Sequence, residues 1–120
     1  MKMRKEYTCP LELTHDMTKG KWKPIILWQL GTGVPQQPSE LEKSIQGINQ
    51  KMLLEQLREL SAAGMVEKRA IPGYPLKTEY IVTKRGRRML EAITIMQEIG
   101  IEMMREEGMD EVLRAAGFSG

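Results

Sequence analysis

The sequence predicts a mainly α-helical fold with one small β-hairpin, in the α+β class. Helix-start and helix-stop signals divide residues 10–64 into four helical segments. Two short segments rich in β-branched and aromatic residues follow, at residues 65–71 and 77–82, joined by the turn-like sequence PGYPL. Apolar residues then recur at helical spacing over residues 84–107. Helices, a hairpin and a long helix in this order predict a winged helix-turn-helix with additional N- and C-terminal helices.

The first predicted helix covers residues 10–18, and the second covers residues 22–30. Pro10 suits the first position of a helix, because an N–H at that position would have no intrahelical partner. The second helix contains the nearly continuous apolar run IILWQL and is expected to be largely buried. The apolar side chains expected to pack against the rest of the fold are Leu11, Leu13, Met17, Trp22 and Trp28.

The third and fourth predicted helices form a helix-turn-helix pair joined by the short turn QGIN. Ser39 is the expected N-cap of the third helix, and Glu42 three residues later would complete a capping box. Asn49 is the expected N-cap of the fourth helix, which ends before Gly64.

The hairpin and the long helix each have a predicted inner side. Partial alternation in the hairpin places Val66, Tyr80 and Val82 inward, and Thr83 is the expected N-cap of the helix that follows. The apolar stripe of that helix is longer than a small body can cover, which favours a homodimer. The residues expected at the dimer interface are Met89, Ile93, Met96, Ile99 and Met103. Packing of the first turns on their own domain is the alternative.

Length and composition predict one domain over residues 1–120, with a core at about residues 8–83 and C-terminal dimerisation helices at about residues 84–117. Hydrophobic residues make up 41% and charged residues 28%, as in globular proteins. No apolar run has the length of a membrane span or a signal peptide, so we expect a cytosolic protein. One cysteine and one histidine exclude an internal disulfide and argue against a dedicated metal site. No cofactor is expected, and no set of residues suggests an enzyme.

Charge is distributed unevenly along the chain. Residues 1–90 contain 16 of the 18 basic and 9 of the 16 acidic residues, a net charge of +7, whereas residues 91–120 contain 2 and 7, a net charge of −5. A basic body of this kind favours contact with a polyanion, although chance clustering on solvated faces is the alternative.

The fourth helix has two distinct faces when residues are placed at 100° intervals. Its core side comprises Leu53, Leu57 and Leu60. Its outer side and first turn comprise Gln50, Lys51, Leu54, Glu55 and Arg58. Such residues can bind guanine edges or phosphates through Lys and Arg, adenine through Gln, cytosine through Glu and a thymine methyl through Leu. An ordinary solvated face remains the alternative interpretation of Lys51 and Arg58.

Two further basic clusters support contact with DNA. The first flanks the hairpin turn, where a wing contacts a minor groove or phosphates, and comprises Lys68, Arg69 and Lys77. The second cluster lies at the start of the second helix and comprises Lys19, Lys21 and Lys23. The free N–H groups at that helix start can help to hold a phosphate.

Three segments carry a spaced set of short motifs: CPLELTHDMTKGKW from Cys9, PSELEKSIQGINQKMLLEQLRELSAAGMVEK from Pro38, and TEYIVTKRGRRML from Thr78. Together, over about residues 8–100, they resemble the HxlR-type family of bacterial winged-helix transcriptional regulators, relatives of the MarR group. The resemblance implies a homodimer on an inverted-repeat operator, with the fourth helix on the DNA. The wing departs from the family pattern: it reads YPLKTEY where the family commonly has a double proline and an arginine, and Lys77 falls at or near that arginine.

Cys9 is a candidate thiol sensor. It directly precedes Pro10 at the start of a helix, where a helix N-terminus favours a thiolate, and Arg4 and Lys5 would add to that effect. Several regulators of the family that the chain resembles sense oxidants or quinones through a matching N-terminal cysteine. Because the chain has no second cysteine, any disulfide would be intermolecular. The alternative is a cysteine that only packs.

The predicted function is therefore sequence-specific transcriptional regulation, as a repressor that binds double-stranded DNA as a homodimer. If Cys9 is a sensor rather than a packing residue, the protein also responds to oxidants or electrophiles. No membrane partner is expected, and the sequence does not identify a small-molecule effector. The alternative function is a winged-helix protein-interaction module that does not bind DNA.

Overall fold

The computed structural model of the protein describes residues 6–118, in which the predicted fold class is confirmed. The helices and strands of this part of the chain are α1 (Pro10–Thr18), α2 (Trp22–Leu30), α3 (Pro38–Ser44), α4 (Gln50–Ala62), β1 (Val66–Ile71), β2 (Lys77–Val82), α5 (Lys84–Glu106) and α6 (Asp110–Ala115). The chain divides into two compact units, the first ending at Leu90 and the second beginning at Glu91. The expectation of one domain with C-terminal dimerisation helices stays a prediction.

Helix α3 begins two residues earlier than the sequence suggests, as judged by its N-cap. Its N-cap is Gln37 rather than Ser39, and the capping box is completed by Glu40 rather than Glu42. The Glu40 carboxylate accepts a hydrogen bond from the Gln37 backbone N–H at 2.8 Å. Pro38 determines this start, because its fixed φ suits the first helical position and leaves the preceding residue extended.

The core of the first unit is built on one face of α4. Leu53, Leu57 and Leu60 are completely buried there, as predicted. Helices α2 and α3 supply further completely buried side chains, namely Ile26, Leu27, Leu30 and Leu41. Each such side chain contributes roughly 1.5–3 kcal/mol to folding through the hydrophobic effect. The apolar stripe of α4 thus fixes which of its faces remains outside.

Three apolar residues are less buried than expected. Trp22 and Trp28 are only half-buried, so they lie at the edge of the core rather than within it. Leu11 is 74% exposed, so its predicted contact with the body is wrong. Leu13 and Met17 lie within about 40° of each other around α1, whereas Leu11 lies on nearly the opposite side and cannot share their contacts.

The hairpin is anchored in the core at its base. Strands β1 and β2 are antiparallel, with Val66 opposite Val82 and Lys68 opposite Tyr80. Val66, Tyr80 and Val82 are buried, which confirms the predicted inner side. Tyr80 also exchanges two backbone hydrogen bonds with Gln36, at 2.7 and 2.9 Å, so the loop before α3 adds a single bridge to the outer edge of β2.

The end of α4 and the start of α5 meet at one backbone junction. Thr83, the predicted N-cap of α5, accepts a hydrogen bond from the Gly86 N–H at 3.1 Å. The Thr83 hydroxyl lies 2.6 Å from the carbonyl oxygen of Gly64 and 3.1 Å from that of Met65, and so can donate to them. The Arg85 guanidinium donates to the Ala63 carbonyl at 2.9 Å. These contacts satisfy three backbone carbonyl groups in the segment that directly follows α4.

Lys23 is a buried cation that joins α2 to α4. Only 5% of the residue is exposed, and its ammonium group donates to the Gln56 side chain at 2.8 Å. The Glu59 carboxylate lies 3.4 Å away and completes an ion pair. Buried lysines need such partners, because an unpaired buried charge is strongly unfavourable.

In the second unit, Ile93 and Leu113 are buried, and Gly108 with φ +73° provides the turn between α5 and α6. Many large apolar side chains of this unit are exposed: Ile95, Met96, Ile99, Met103, Met109 and Val112. No helix among the described residues is long and apolar enough to cross a membrane.

We predict that Gly86→Ala lowers the free energy of unfolding by about 2 kcal/mol, because overpacking a tight contact costs about this much. An added Cβ would overlap the backbone oxygen of Met65 and lie 2.6 Å from a Val82 methyl group. Urea unfolding followed by circular dichroism measures the change. Gly100→Ala, in the same helix, is the control, since its Cβ would meet nothing within 4 Å. Gly100→Ala should raise the free energy of unfolding by up to about 1 kcal/mol. Equal effects of the two substitutions on the free energy of unfolding would refute the tight contact at Gly86.

We predict that Lys23→Ala lowers the free energy of unfolding by about 2 kcal/mol, because the Gln56 side chain loses its buried partner. The matched change Lys21→Ala removes an exposed ammonium group whose contact is the Trp22 ring, 4.5 Å away. It should cost less than about 1 kcal/mol. If both variants unfold at the same urea concentration, the buried link between α2 and α4 contributes nothing to stability.

Candidate nucleic-acid interface

The exposed face of α4 is the centre of the candidate site. Asn49 caps the helix, and its side-chain oxygen accepts a hydrogen bond from the Met52 N–H at 2.8 Å, as the sequence predicts. Gln50, Lys51, Leu54 and Arg58 are exposed, and Glu55 is half-buried. Since the opposite face is completely buried, these side chains project from the first unit together. They combine two cations, an amide, a carboxylate and an apolar group on about two turns of one helix.

Arg58 connects this face to the base of the hairpin. Burial raises the pKa of the Tyr80 hydroxyl above its usual value of 10.0, and the positive charge of Arg58 partly opposes that rise. Helix α4 also contacts strand β1 of the hairpin directly. The α4 face and the hairpin therefore adjoin each other.

The lysines at the start of α2 do not form the predicted cluster. Lys23 is buried against Gln56 and Glu59 and cannot reach a phosphate. Lys19 is exposed but lies 3.5 Å from the Asp16 carboxylate. Lys21 is exposed, with its ammonium group above the Trp22 ring. Spacing alone could not distinguish them, because the difference depends on which side of α2 packs against α4. Of the three, Lys21 is the cation best placed to meet an external anion.

The three cations of the hairpin are all exposed, but they do not share one face. Lys68 lies opposite Tyr80 in the strand register, whereas Arg69 and Lys77 alternate to the other face. Arg69 is 3.5 Å from the Glu67 carboxylate, which partly neutralises it. Lys68 and Lys77 thus place one positive charge on each side of the hairpin.

From the sequence, the hairpin turn is expected only to connect the two strands. Tyr74 and Leu76 within it are 99% and 79% exposed. The signal that could have drawn attention to them is the presence of two large apolar residues in a turn otherwise made of proline and glycine.

Cys9 is a free, exposed thiol at the N-cap position of α1. Its side chain makes no capping hydrogen bond. Nearby, Thr8 donates from its hydroxyl to the Glu12 carboxylate at 2.8 Å. Arg4 and Lys5, which the sequence suggested as neighbours, lie outside the described residues. Within residues 6–118, no group of three or more potential metal ligands of the His, Cys, Asp and Glu types comes together.

The face predicted for dimerisation is mixed in its exposure. Met96, Ile99 and Met103 are exposed, Met89 is half-buried, and Ile93 is buried within the chain itself. Ile93 is therefore already covered and needs no partner. The remaining residues of the stripe keep large apolar surfaces that a monomer leaves in water.

Comparison with known proteins matches the chain to the HxlR-like helix-turn-helix family over residues 17–108. The regulatory protein MalR of Fusobacterium mortiferum is 37% identical over 102 residues, which cover 85% of this chain and 96% of that protein. The HTH-type transcriptional regulator YkvN of Bacillus subtilis is 39% identical over 95 residues, covering 79% of this chain and 77% of that protein.

Solved structures show the same fold. The redox regulator HypR in its reduced form has a TM-score of 0.73 and 36% identity, covering 81% of this chain and 94% of that chain. The reduced form of the transcriptional regulator YodB from Bacillus subtilis has a TM-score of 0.67 and 30% identity, covering 77% of this chain and 90% of that chain. This chain therefore belongs to the HxlR-like helix-turn-helix family of transcriptional regulators.

Proposed function

We propose that the protein is a sequence-specific DNA-binding repressor that acts as a homodimer on an inverted-repeat operator. The observation that carries this proposal is the division of α4 into two faces. Three leucines of one face are completely buried, while Lys51, Leu54 and Arg58 of the other face are exposed. The helix that presents them begins at a capped turn. A helix presented in this way fits the major groove of B-DNA.

Each outer residue of α4 has a specific role in this arrangement. Gln50 and Lys51 lie in the first turn, where recognition helices reach base edges: Gln50 suits adenine, and Lys51 suits guanine or a phosphate. Leu54 offers an apolar contact for a thymine methyl group. Glu55 accepts from cytosine or orients Arg58, and Arg58 binds a guanine edge or a phosphate.

The flanking cations position the helix on the DNA backbone. Lys68 and Lys77, on opposite faces of the hairpin, approach phosphates on the two sides of a groove, and Lys21 approaches a phosphate from the start of α2. Contacts of this kind carry no base information but fix the register of the protein on the duplex. They also make the affinity depend steeply on salt, because each neutralised phosphate releases counterions.

The apolar stripe of α5 supplies the dimer contact in this proposal. Met96, Ile99 and Met103 are each at least half exposed in the single chain. A second copy would cover them, with Met89 at the edge of the contact. A two-fold dimer explains how one short helix per subunit reads a site of useful length, since two half-sites are read together.

A charge reversal on the α4 face tests the function. We predict that Arg58→Glu abolishes specific binding to the DNA upstream of the protein's own gene, because it replaces an attraction to the duplex with a repulsion. A gel shift over a series of salt concentrations measures the affinity, which should fall steeply with salt for the unchanged protein. Sedimentation should show the same dimer in both.

The matched control is Arg114→Glu, which makes the same charge change on an exposed residue of α6. It should leave specific binding intact. Equal loss of binding in the two variants would show that only total charge matters and would remove the recognition role of α4. If the unchanged protein binds no DNA even at low salt, the interaction-module function replaces the one proposed.

We further propose that oxidation of Cys9 weakens DNA binding. Its exposed, uncapped thiol supports this, since reagents in solution can reach it. Similar structures are described as a redox regulator in its reduced and oxidized forms and as diamide-treated YodB. Diamide accepts two electrons and two protons as two thiols join in a disulfide. The two thiols are Cys9 of both subunits, or Cys9 of one subunit and a small thiol.

We predict that diamide lowers the operator affinity of the unchanged protein and that dithiothreitol restores it. Cys9→Ser should keep full affinity in the presence of diamide, because no other thiol is present in the chain. Gel shifts with and without each reagent, together with non-reducing electrophoresis, measure both effects. Identical affinity of the unchanged protein before and after diamide would leave Cys9 as a residue without a sensing role.

A further inference from the structure

The tip of the hairpin presents the most exposed aromatic surface among the described residues. The apolar tip is defined here as Tyr74 and Leu76, which are 99% and 79% exposed. They belong to the five-residue turn between Ile71 and Lys77, the last pair of the strand register. The other residues of this turn are exposed as well. Neither side chain of the apolar tip therefore contributes to the core of the first unit.

The position of the apolar tip follows from how the hairpin is anchored. Tyr80 lies in the core, and Lys77, three residues before it, lies in solvent. At about 3.3 Å per residue, the strands therefore extend roughly 10 Å beyond the core before the turn begins. Because helix α4 contacts strand β1 directly, the hairpin leaves the body beside α4.

Charge around the apolar tip indicates the kind of partner. Three cations are exposed on the strands that lead to the turn. Lys68 lies on one face of the hairpin, and Arg69 and Lys77 lie on the other. A large apolar group between cations suits a polyanion that also offers apolar surface, which describes the sugars and base steps of a DNA groove. By contrast, Val34 is 62% exposed in the loop of residues 31–37, which contains no lysine or arginine.

We propose that the apolar tip inserts into the DNA minor groove next to the half-site contacted by α4. This inference rests on the DNA-binding function proposed above. Lys68 and Lys77 each approach the phosphates of one strand, and Tyr74 and Leu76 enter between them. Leu76 wedges against a base step while the Tyr74 ring stacks on the exposed base or sugar. Apolar wedges of this kind partly unstack a step and bend the duplex towards the major groove.

The insertion adds a specificity determinant that makes no hydrogen bond to a base. Flexible pyrimidine–purine steps are unstacked more easily than stiff A-tracts. Operators with a flexible step under each apolar tip are therefore bound more tightly than operators with the same α4 contacts and a stiff step there. The tip selects DNA by its deformability, and α4 selects it by its base edges.

The experiment uses a fluorescently labelled duplex that spans the footprint of the unchanged full-length protein. Tyr74→Ser combined with Leu76→Ser should weaken binding about tenfold or more, because stacking on a base contributes that much to affinity. The slope of log affinity against log salt should stay the same, since no charge is removed. Lys77→Ala should instead reduce the slope by about one. Val34→Ser is the matched control and should change neither quantity.

A second readout follows the DNA itself. 2-Aminopurine placed at each step of the flanks should become brighter at one step per half-site with the unchanged protein, and the increase should vanish with the double variant. Suppose that the double variant binds the duplex and increases the 2-aminopurine fluorescence as the unchanged protein does, while Arg58→Glu does not bind. The apolar tip then does not enter the groove, and the proposed function stands. If the unchanged protein shows no specific binding, both proposals fail. If the double variant instead loses its dimer in sedimentation, the tip contacts protein and the insertion is refuted.

Discussion

The carbonyl oxygen of Met65 lies where the elements of the first unit are held together. It accepts a hydrogen bond from the Thr83 backbone N–H at 3.0 Å, and the Thr83 hydroxyl lies 3.1 Å away. It also lies so close to Gly86 that no side chain fits between them. The end of α4, the first residue of β1, the last residue of β2 and the first turn of α5 all converge there. Position 86 requires a glycine because its backbone touches that of Met65. Position 83 requires a threonine because its hydroxyl group binds both the segment after α4 and the first turn of α5.

This junction has a direct consequence for function. A helix that reads DNA must be held rigidly, because a small displacement of the helix moves its side chains away from the nucleotide bases that they contact. Helix α4 is held at its C-terminus by the junction, at its middle by the Lys23 link to Gln56 and along its length by buried leucines. Its outer residues are thus free to vary in identity without loss of the fold. The boundary between the two units, after Leu90, also coincides with the change from net positive to net negative charge.

Most of the architecture could be predicted from sequence, because helix caps, glycines and apolar periodicity are local signals. The bounds of α1 and α2, the Asn49 cap, the inner side of the hairpin and the Thr83 cap were predicted correctly. The start of α3 was not, because Ser39 and Glu42 satisfy the same pattern as Gln37 and Glu40. Only the position of Pro38 at the first turn separates the two.

The candidate site could be predicted only in part, for a different reason. The helical periodicity of apolar residues in α4 identifies which residues face outward, because it depends on this helix alone. The difference between Lys21 and Lys23 depends on how two helices pack across a distance of 33 residues in sequence, which no local pattern contains. The exposure of Tyr74 and Leu76 likewise depends on how far the hairpin leaves the core. Long-range packing therefore set the limit of what sequence reasoning could identify.

The most direct test of the central claim, that the outer face of α4 lies on DNA, is site-directed cleavage. An iron chelate is attached to the thiol of a Lys51→Cys, Cys9→Ser protein, and the cut positions are mapped on the upstream promoter fragment. The account predicts cuts inside two symmetric protected half-sites whose centres are about one helical turn, or a multiple of it, apart. Cuts confined to the flanks of the footprint, or distributed evenly along the fragment, would contradict it.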